Sequence, residues 1–366
     1  MMLPPVRRLV FAAGGTAGHI EPGIAVAHEW RRRHPSDYEL FIGTENGLES
    51  VLIPSAGFEL KTIPKVVAPR KLTLGLFRFP ADLWSAIRIT RTEISGAELV
   101  IGFGGYVSAP VYLAARSLKI PIVIHEANAK VGWANYMGSL FTPYLACAHV
   151  ISHGRFSKAH VTGIPLKASI LQAVIDAADN WKLAREKAKK SLGWNLESPT
   201  LLVMGGSQGS TFINAEIEKA LPKLIARGVQ ILHAVGTRNS LPSKSEGYSA
   251  VPYISDMATA FLAADIVIAR SGAVTCAEFA SLGKYALFIP LPVGNGEQAK
   301  NADFLVKENR ARVLNQNGFS AKWLIAHFDQ LLEASARASD AALDSDLGAV
   351  KKIIDVMEKA LRGAIK

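Results

Sequence analysis

Cysteine is nearly absent from this chain of 366 residues: only Cys147 and Cys276 occur, far apart in sequence. That excludes a disulfide framework and a cysteine-based metal cluster, and it fits a reducing compartment. Long apolar runs are missing too, since no stretch stays apolar over the roughly 20 residues that a membrane-spanning helix needs. The first ten residues carry Arg7 and Arg8 but run straight into a strand-like segment, so no secretory signal is expected. Charged residues make up 20% of the chain, too few for a disordered protein. Acidic residues are the scarcer sign, 31 against 41 basic ones, leaving a net charge of +10. An excess of that sign attracts polyanions, whether nucleic acid, anionic lipid or a phosphorylated substrate, and composition alone does not choose among them.

Apolar residues are plentiful, at 49%, and the length suits two domains with a core each. The order of elements is strand, glycine turn, helix, repeated. Residues 8–13 read as a buried strand, followed by Gly14-Gly15-Thr16-Ala17-Gly18 and a helix from His19 to about Arg33. Short apolar runs at 38–42, 99–103 and 120–125 follow, separated by helical segments. The device restarts at Pro199: strand 200–204, turn Gly205-Gly206-Ser207-Gln208-Gly209, helix 210–227, then strands at 230–235, 265–269 and 285–290. Alternation of this kind predicts an α/β protein of two Rossmann-like domains, each a parallel sheet covered by helices, facing each other across a cleft. Gly163 and Pro165 place the linker within 161–171. The tail from Ala321 is alanine-rich and helical in period, and its last helix, near 348–361, can pack on either domain.

Ligands of open α/β sheets sit beyond the carboxyl ends of the strands, where both glycine turns fall. Backbone N–H groups at a helix start, together with the dipole, suit an anion. A tight turn packed on its own sheet is the plainer explanation of a lone glycine turn. Gly14–Gly18 lacks the dinucleotide G-x-G-x-x-G spacing, and no Gly-Lys-Ser/Thr follows to make a P-loop. Ser207 adds a hydroxyl donor to the second turn. A third site is Arg270-Ser271-Gly272-Ala273-Val274-Thr275-Cys276-Ala277-Glu278, where Ser271 or Gly272 would cap a helix. Glu278, just over a turn further on, suits the two hydroxyls of a ribose, although most helix glutamates are simply solvated. His19, at a helix start where the neutral ring is favoured, is the preferred general base, with Glu126 and His125 as rivals. Asp344-Ser345-Asp346 matches the Asp-x-Asp of metal-binding transferases but is read as a solvated helix face, and no metal site is expected.

These motifs occur together and in the order of one family. Gly14–His19, Gly104-Gly105-Tyr106-Val107-Ser108, His125-Glu126-Ala127-Asn128, Gly205–Gly209, Arg270–Ala273 and Glu297-Gln298 with Asn301-Ala302 resemble the MurG family of bacterial peptidoglycan UDP-N-acetylglucosamine transferases. The resemblance spans about residues 8–310. It implies a GT-B fold, an inverting reaction without cofactor or required metal, and conversion of lipid I to lipid II. It further implies an acceptor-binding, membrane-facing domain over 1–163, to which a helix at about 348–366 can return, and a UDP-sugar-binding domain over 164–347. Carried over by position, it places Thr16, Ala17 and Gly18 at the acceptor–donor junction, Asn128 at the donor sugar and Tyr106 among the substrate-binding residues. Ser207 and the N–H groups of Ala273, Val274 and Thr275 fall to the diphosphate, the backbone of Ile254 to the uracil edge, Glu278 to the ribose and Gln298 to the sugar hydroxyls, with Arg270 also counted among the substrate-binding residues. Lys167 stands where the family has arginine, keeping charge without the bidentate fork. Ala17 replaces a frequent glycine, and Glu297 stands where some members have a second glutamine.

The implied partners are UDP-N-acetylglucosamine, lipid I (undecaprenyl-diphosphate muramyl-pentapeptide), other cell-wall enzymes and an anionic membrane surface on the cytoplasmic face. Residues 65–91 suit that surface: Lys65, Arg70, Lys71, Arg78, Arg88 and Arg91 alternate with Leu72, Leu74, Leu76, Phe77, Phe79 and Trp84. A packed helix with a solvated basic side is the competing explanation. Two other functions stay open at this point. One is a UDP-N-acetylglucosamine 2-epimerase of the same architecture; the other is a non-catalytic polyanion-binding module, although no nucleic-acid motif is present and no nucleic-acid partner is expected.

Overall fold

The computed structural model describes residues 6–66, 75–292, 296–337 and 346–364, with the backbone alone for 75–78. The chain divides into two compact units: residues 1–167 with 345–366, and residues 168–344.

In the first unit, β1 (Arg8–Ala12), β2 (Tyr38–Gly43), β3 (Glu59–Thr62), β4 (Leu99–Gly102), β5 (Ile122–Glu126), β6 (Tyr144–Cys147) and β7 (His160–Val161) form one parallel sheet in the order β3-β2-β1-β4-β5-β6-β7. The intervening helices are α1 (Ala17–Arg33), α2 (Glu49–Ser55), α3 (Gly75–Glu93), α4 (Ser108–Ser117) and α5 (Trp133–Gly138). Parallel pairing buries both faces of a strand, which is why Leu-Val-Phe-Ala in β1 and Leu-Val-Ile-Gly in β4 read as unbroken apolar runs. Alternate residues of β1 face opposite cores: Leu9 and Phe11 pack with α1, Val10 and Ala12 with α4.

The second unit repeats the plan. Here β8 (Thr200–Met204), β9 (Gln230–Ala234), β10 (Tyr248–Val251), β11 (Ile266–Ala269), β12 (Ala286–Phe288) and β13 (Ala311–Val313) form a parallel sheet in the order β10-β9-β8-β11-β12-β13. Its helices are α6 (Ala168–Ser191), α7 (Thr211–Ile225), α8 (Met257–Ala263), α9 (Ala273–Ser281), α10 (Glu297–Asn301), α11 (Asp303–Lys307) and α12 (Ala321–Arg337). Helix α6 breaks at Asn180 (φ −155°, ψ 90°), whose Oδ1 accepts from Leu183 N at 3.0 Å and restarts the helix.

The last helix, α13 (Ala349–Ala364), returns to the first unit. Its apolar stripe, Ile353, Ile354, Val356, Met357, Ala360 and Leu361, is buried in one core with Leu9, Phe11, Ile20 and Trp30.

Strands at the middle of each sheet lie where the sequence predicts them, within a residue or two. The strands it passes over are β3, β6, β7, β10 and β13. Of these, β3, β7, β10 and β13 are sheet edges; β3 and β7 lie open to solvent along most of their length, so neither carries an apolar run. Asp346 overturns the solvated-face reading of the Asp-x-Asp match: it is buried, and its Oδ1 accepts from Ile164 N at 2.6 Å. Asp344 and Ser345 lie outside the described residues.

Candidate active site

In the first sheet, β2 and β4 flank β1 on opposite sides, so the chain reverses direction of progress at β1. The turns after β1, β4 and β5 therefore meet at the carboxyl edge, the usual ligand position in such sheets. They are the turns 14–16, 103–107 and 127–132.

Helix α1 begins at Ala17 with Thr16 as N-cap, but the Thr16 hydroxyl turns to the His19 ring, 3.1 Å from Nδ1. His19 is half-buried, and bare backbone lies beside it. Gly104 and Gly105 have φ of +90° and +82°, and a Cβ on them would stand 3.4 Å from His19 Cδ2 and 3.3 Å from Nδ1 respectively. A Cβ on Gly105 would also run into the Gly14 carbonyl, so the two turns touch. Glycine is required here by both conformation and space.

Not every N–H of the first turn faces outward. Gly15 (φ +98°) donates to Glu49 Oε2 at 3.1 Å, so Ala17 and Gly18 supply the open helix start. Tyr106 is half-buried. Its hydroxyl lies 3.2 Å from Glu49 Oε1 and from Thr44 Oγ1, and burial pushes its pKa up. Lys65 Nζ stands 4.9 Å from the centre of the Tyr106 ring. Sequence reading passed over Glu49; the one signal was a polar, glycine-bearing loop from Gly43 to Glu49 after a strand.

At the end of β5 the two rivals for the base are withdrawn from solvent. His125 is fully buried, its Nε2 donates to Gly163 O at 2.9 Å, and burial lowers its pKa to about 4. Glu126 is 2% exposed, and burial raises its pKa. Oε1 accepts from Asn128 N at 2.9 Å and Nδ2 at 3.0 Å; Oε2 accepts from Gly132 N at 2.8 Å and Asn135 Nδ2 at 3.0 Å. These four donors tie the carboxylate to the 127–132 loop and to Asn135. Asn135, itself held by Tyr112 Oη at 2.8 Å, was not singled out in the sequence. Lys167 pairs with Glu21 of α1 at 2.7 Å, so its charge is balanced within the first unit.

The second sheet repeats the geometry around β8. Gly209 (φ +75°) and Gly236 (φ +94°) bring the turns after β8 and β9 into backbone contact, since a Cβ on Gly209 would meet the Val235 carbonyl and one on Gly236 the Gln208 carbonyl. Ser207 is half-buried in the 205–209 turn, and Ser210 caps α7 by accepting from Ile213 N at 3.3 Å. Ile254 is buried in the segment between β10 and α8, where Asp256 caps α8.

Arg270 corrects an expectation. Its guanidinium turns into the protein: Nη1 donates to Ile289 O at 2.9 Å and Pro290 O at 3.0 Å, Nη2 to Ser210 Oγ and Gln316 Oε1 at 2.8 Å each. It supports the turns and is not placed as a ligand contact.

Helix α9 starts at Ala273 with Gly272 as N-cap (φ −65°, ψ 147°), and no side chain caps it. Its first backbone bond is Cys276 N to Gly272 O at 3.0 Å, which leaves the N–H groups of Ala273, Val274 and Thr275 without an acceptor among the described residues. Glu278 lies on the same helix, 7% exposed. Gln298 at the start of α10 accepts from Leu291 N at 3.0 Å through Oε1, which orients its amide.

Two domain models match this chain: the glycosyltransferase family 28 N-terminal domain over residues 9–143 and the family 28 C-terminal domain over residues 200–357. The chain belongs to glycosyltransferase family 28. A relative from Corynebacterium glutamicum is 42% identical over 352 residues, 95% of this chain and 96% of its own, and is named UDP-N-acetylglucosamine–N-acetylmuramyl-(pentapeptide) pyrophosphoryl-undecaprenol N-acetylglucosamine transferase. A relative of the same name from Streptomyces coelicolor is 43% identical over 86% of each chain. The crystal structure of Acinetobacter baumannii MurG superposes with a TM-score of 0.69 at 26% identity, covering 96% of this chain and 99% of that one. The family 28 architecture is the GT-B fold, and this chain is a glycosyltransferase.

Proposed function

We propose that the protein transfers N-acetylglucosamine from UDP-N-acetylglucosamine to the C4 hydroxyl of the muramyl residue of lipid I, giving lipid II with inversion at the anomeric carbon. The observation that carries this is the 42% identity, over nearly the full length of both chains, to a transferase of that name.

His19 is the base we assign. The acceptor O4–C1 bond forms as the C1–O bond to the diphosphate breaks; the hydroxyl proton passes to His19 and the electron pair leaves with UDP. The Thr16 hydroxyl at Nδ1 orients the ring for that transfer. The N–H groups of Ala273, Val274 and Thr275, aided by Ser207, take the charge that grows on the leaving diphosphate. Glu278 accepts from the ribose hydroxyls, backbone at Ile254 reads the uracil edge, and Gln298 bonds the sugar hydroxyls. Thr16, Ala17, Gly18 and Tyr106 line the acceptor side, and Lys167 acts through its pair with Glu21. Glu126 serves by positioning Asn128, whose backbone and amide it holds.

No described helix is long and apolar enough to cross a membrane. Peripheral binding to an anionic surface through residues 65–91 is supported by the described part of that segment. Trp84 is 64% exposed, and Arg88 lies over its ring at 5.5 Å. Residues 67–74, with Arg70, Lys71, Leu72 and Leu74, lie outside the described residues, as do the side chains of Leu76, Phe77 and Arg78.

The test is a transfer assay with UDP-N-acetylglucosamine and a short-chain lipid I analogue, run with and without chelator. A β-1,4-linked disaccharide product is expected in both. Donor consumption without that product would overturn the assignment.

A further inference from the structure

A carboxylate deep in the first unit has no place in the mechanism above. Glu49, the first residue of α2, is wholly buried and has no salt-bridge partner among the described residues. Its oxygens accept from Gly15 N at 3.1 Å, Thr44 N at 3.0 Å, Thr44 Oγ1 at 2.7 Å and Tyr106 Oη at 3.2 Å. The space for it is built into the chain. A Cβ on Gly14 would stand 2.9 Å from Glu49 Oε1, one on Gly43 2.6 Å from its Cγ, and one on Gly47 would collide with the carboxylate itself. Burying a carboxyl group is costly unless its oxygens are hydrogen-bonded, and a side chain given this much room and this many donors is a fixed strut.

What the strut joins matters more than its own stability. Gly15 belongs to the turn whose next residue, Thr16, holds His19 Nδ1. Tyr106 follows Gly104 and Gly105, whose bare backbone lies against the same imidazole. One carboxylate therefore grips both turns that bound His19. We infer that Glu49 is a positioning residue for the transfer, clamping the turns 14–16 and 104–106 so that the His19 ring is held between them. The inference rests on the assignment of His19 as base.

Full-length wild type is compared with Glu49→Gln, Tyr106→Phe, the double variant of the two, and Thr44→Val, the last removing the 2.7 Å bond while leaving the carboxylate. The clamp predicts a kcat loss of roughly 10- to 100-fold for Glu49→Gln, the scale of a small misplacement of a reacting group. UDP binding by calorimetry should stay within about twofold, because its contacts lie in the second unit. Combined with Tyr106→Phe, Glu49→Gln should lose little more than it loses alone, since both act through one linkage. The ring resonances of His19, assigned with His19→Gln, should shift in Glu49→Gln. Should that variant fail to fold, Thr44→Val carries the test, with a several-fold kcat loss and unchanged UDP binding expected. Unchanged kcat in the folded variants, or losses that simply multiply with Tyr106→Phe, would overturn the clamp. A wild-type protein that forms no disaccharide would instead overturn the transferase reading beneath it.

Discussion

Arg270 donates from Nη2 to the hydroxyl of Ser210 at 2.8 Å, so one buried guanidinium holds the residue that caps α7. Burial lowers its pKa, and its remaining bonds go to Ile289 O, Pro290 O and Gln316 Oε1. Removing it leaves four acceptors without their charged donor. Arg270→Ala is expected to destabilise the protein by about 3 kcal/mol or more, since each bond to a charged group contributes roughly 1.5–3 kcal/mol. Urea unfolding measures this. A loss below 1 kcal/mol, on the order of a surface substitution, would show the network to be dispensable.

His19→Ala should lower kcat by roughly 10²- to 10⁴-fold, the range of a lost general base. With the UDP contacts assigned to residues 207, 254, 273–275 and 278, donor affinity is expected to hold. Steady-state kinetics with calorimetry separates the two; retained turnover would hand the base role to another group.

Glu278→Ala should weaken UDP binding by about 10-fold or more, in line with the loss of charge-assisted bonds. The sharper comparison uses UDP lacking its ribose hydroxyls. Wild type should prefer UDP strongly, and the variant should bind both nearly alike. Equal discrimination in both proteins would remove Glu278 from the ribose.

Arg88→Gln with Arg91→Gln should reduce binding to phosphatidylglycerol vesicles, each charge contributing about 1 kcal/mol near an anionic surface. Trp84→Ser should reduce it further. Sedimentation with neutral and anionic vesicles gives the answer, and binding indifferent to lipid charge would retire the surface.

His125 and His233 are both buried, and burial lowers each pKa to about 4 from the ordinary 6.5. Folding therefore favours the neutral rings. The stability they confer is complete above pH 6.5 and is lost as pH falls towards 4, with a slope of at most about 1.4 kcal/mol per pH unit for each. His233→Gln should flatten that slope between pH 6 and 4.5, relative to wild type, in urea titrations. Parallel slopes would show that His233 is not withdrawn from water.

The fold, and the turns that the proposed site is built from, were legible because parallel strands announce themselves as short apolar runs and glycine turns mark their carboxyl ends. The 200–204 strand and its turn fall where the pattern puts them. What escaped was mostly side-chain direction. Arg270 sits in a ligand-like motif, yet it points inward, because Ser210, Gln316 and two carbonyls offered it acceptors that no spacing rule reveals. Glu126 was a candidate base from its place at a strand end; that its carboxylate accepts from residues 128, 132 and 135 is nothing a spacing rule reveals. Glu49 escaped for a third reason. Its partners lie 34 and 57 residues away in sequence, at Gly15 and Tyr106.

The route of α13 bears on synthesis. Six of its side chains complete the hydrophobic interior that Leu9, Phe11, Ile20 and Trp30 begin, yet the whole second unit is translated between the two. The upstream Rossmann half therefore keeps an open seam until α13, made after the whole second unit, is available to close it. That exposed seam is where chaperones, or aggregation, have their opportunity.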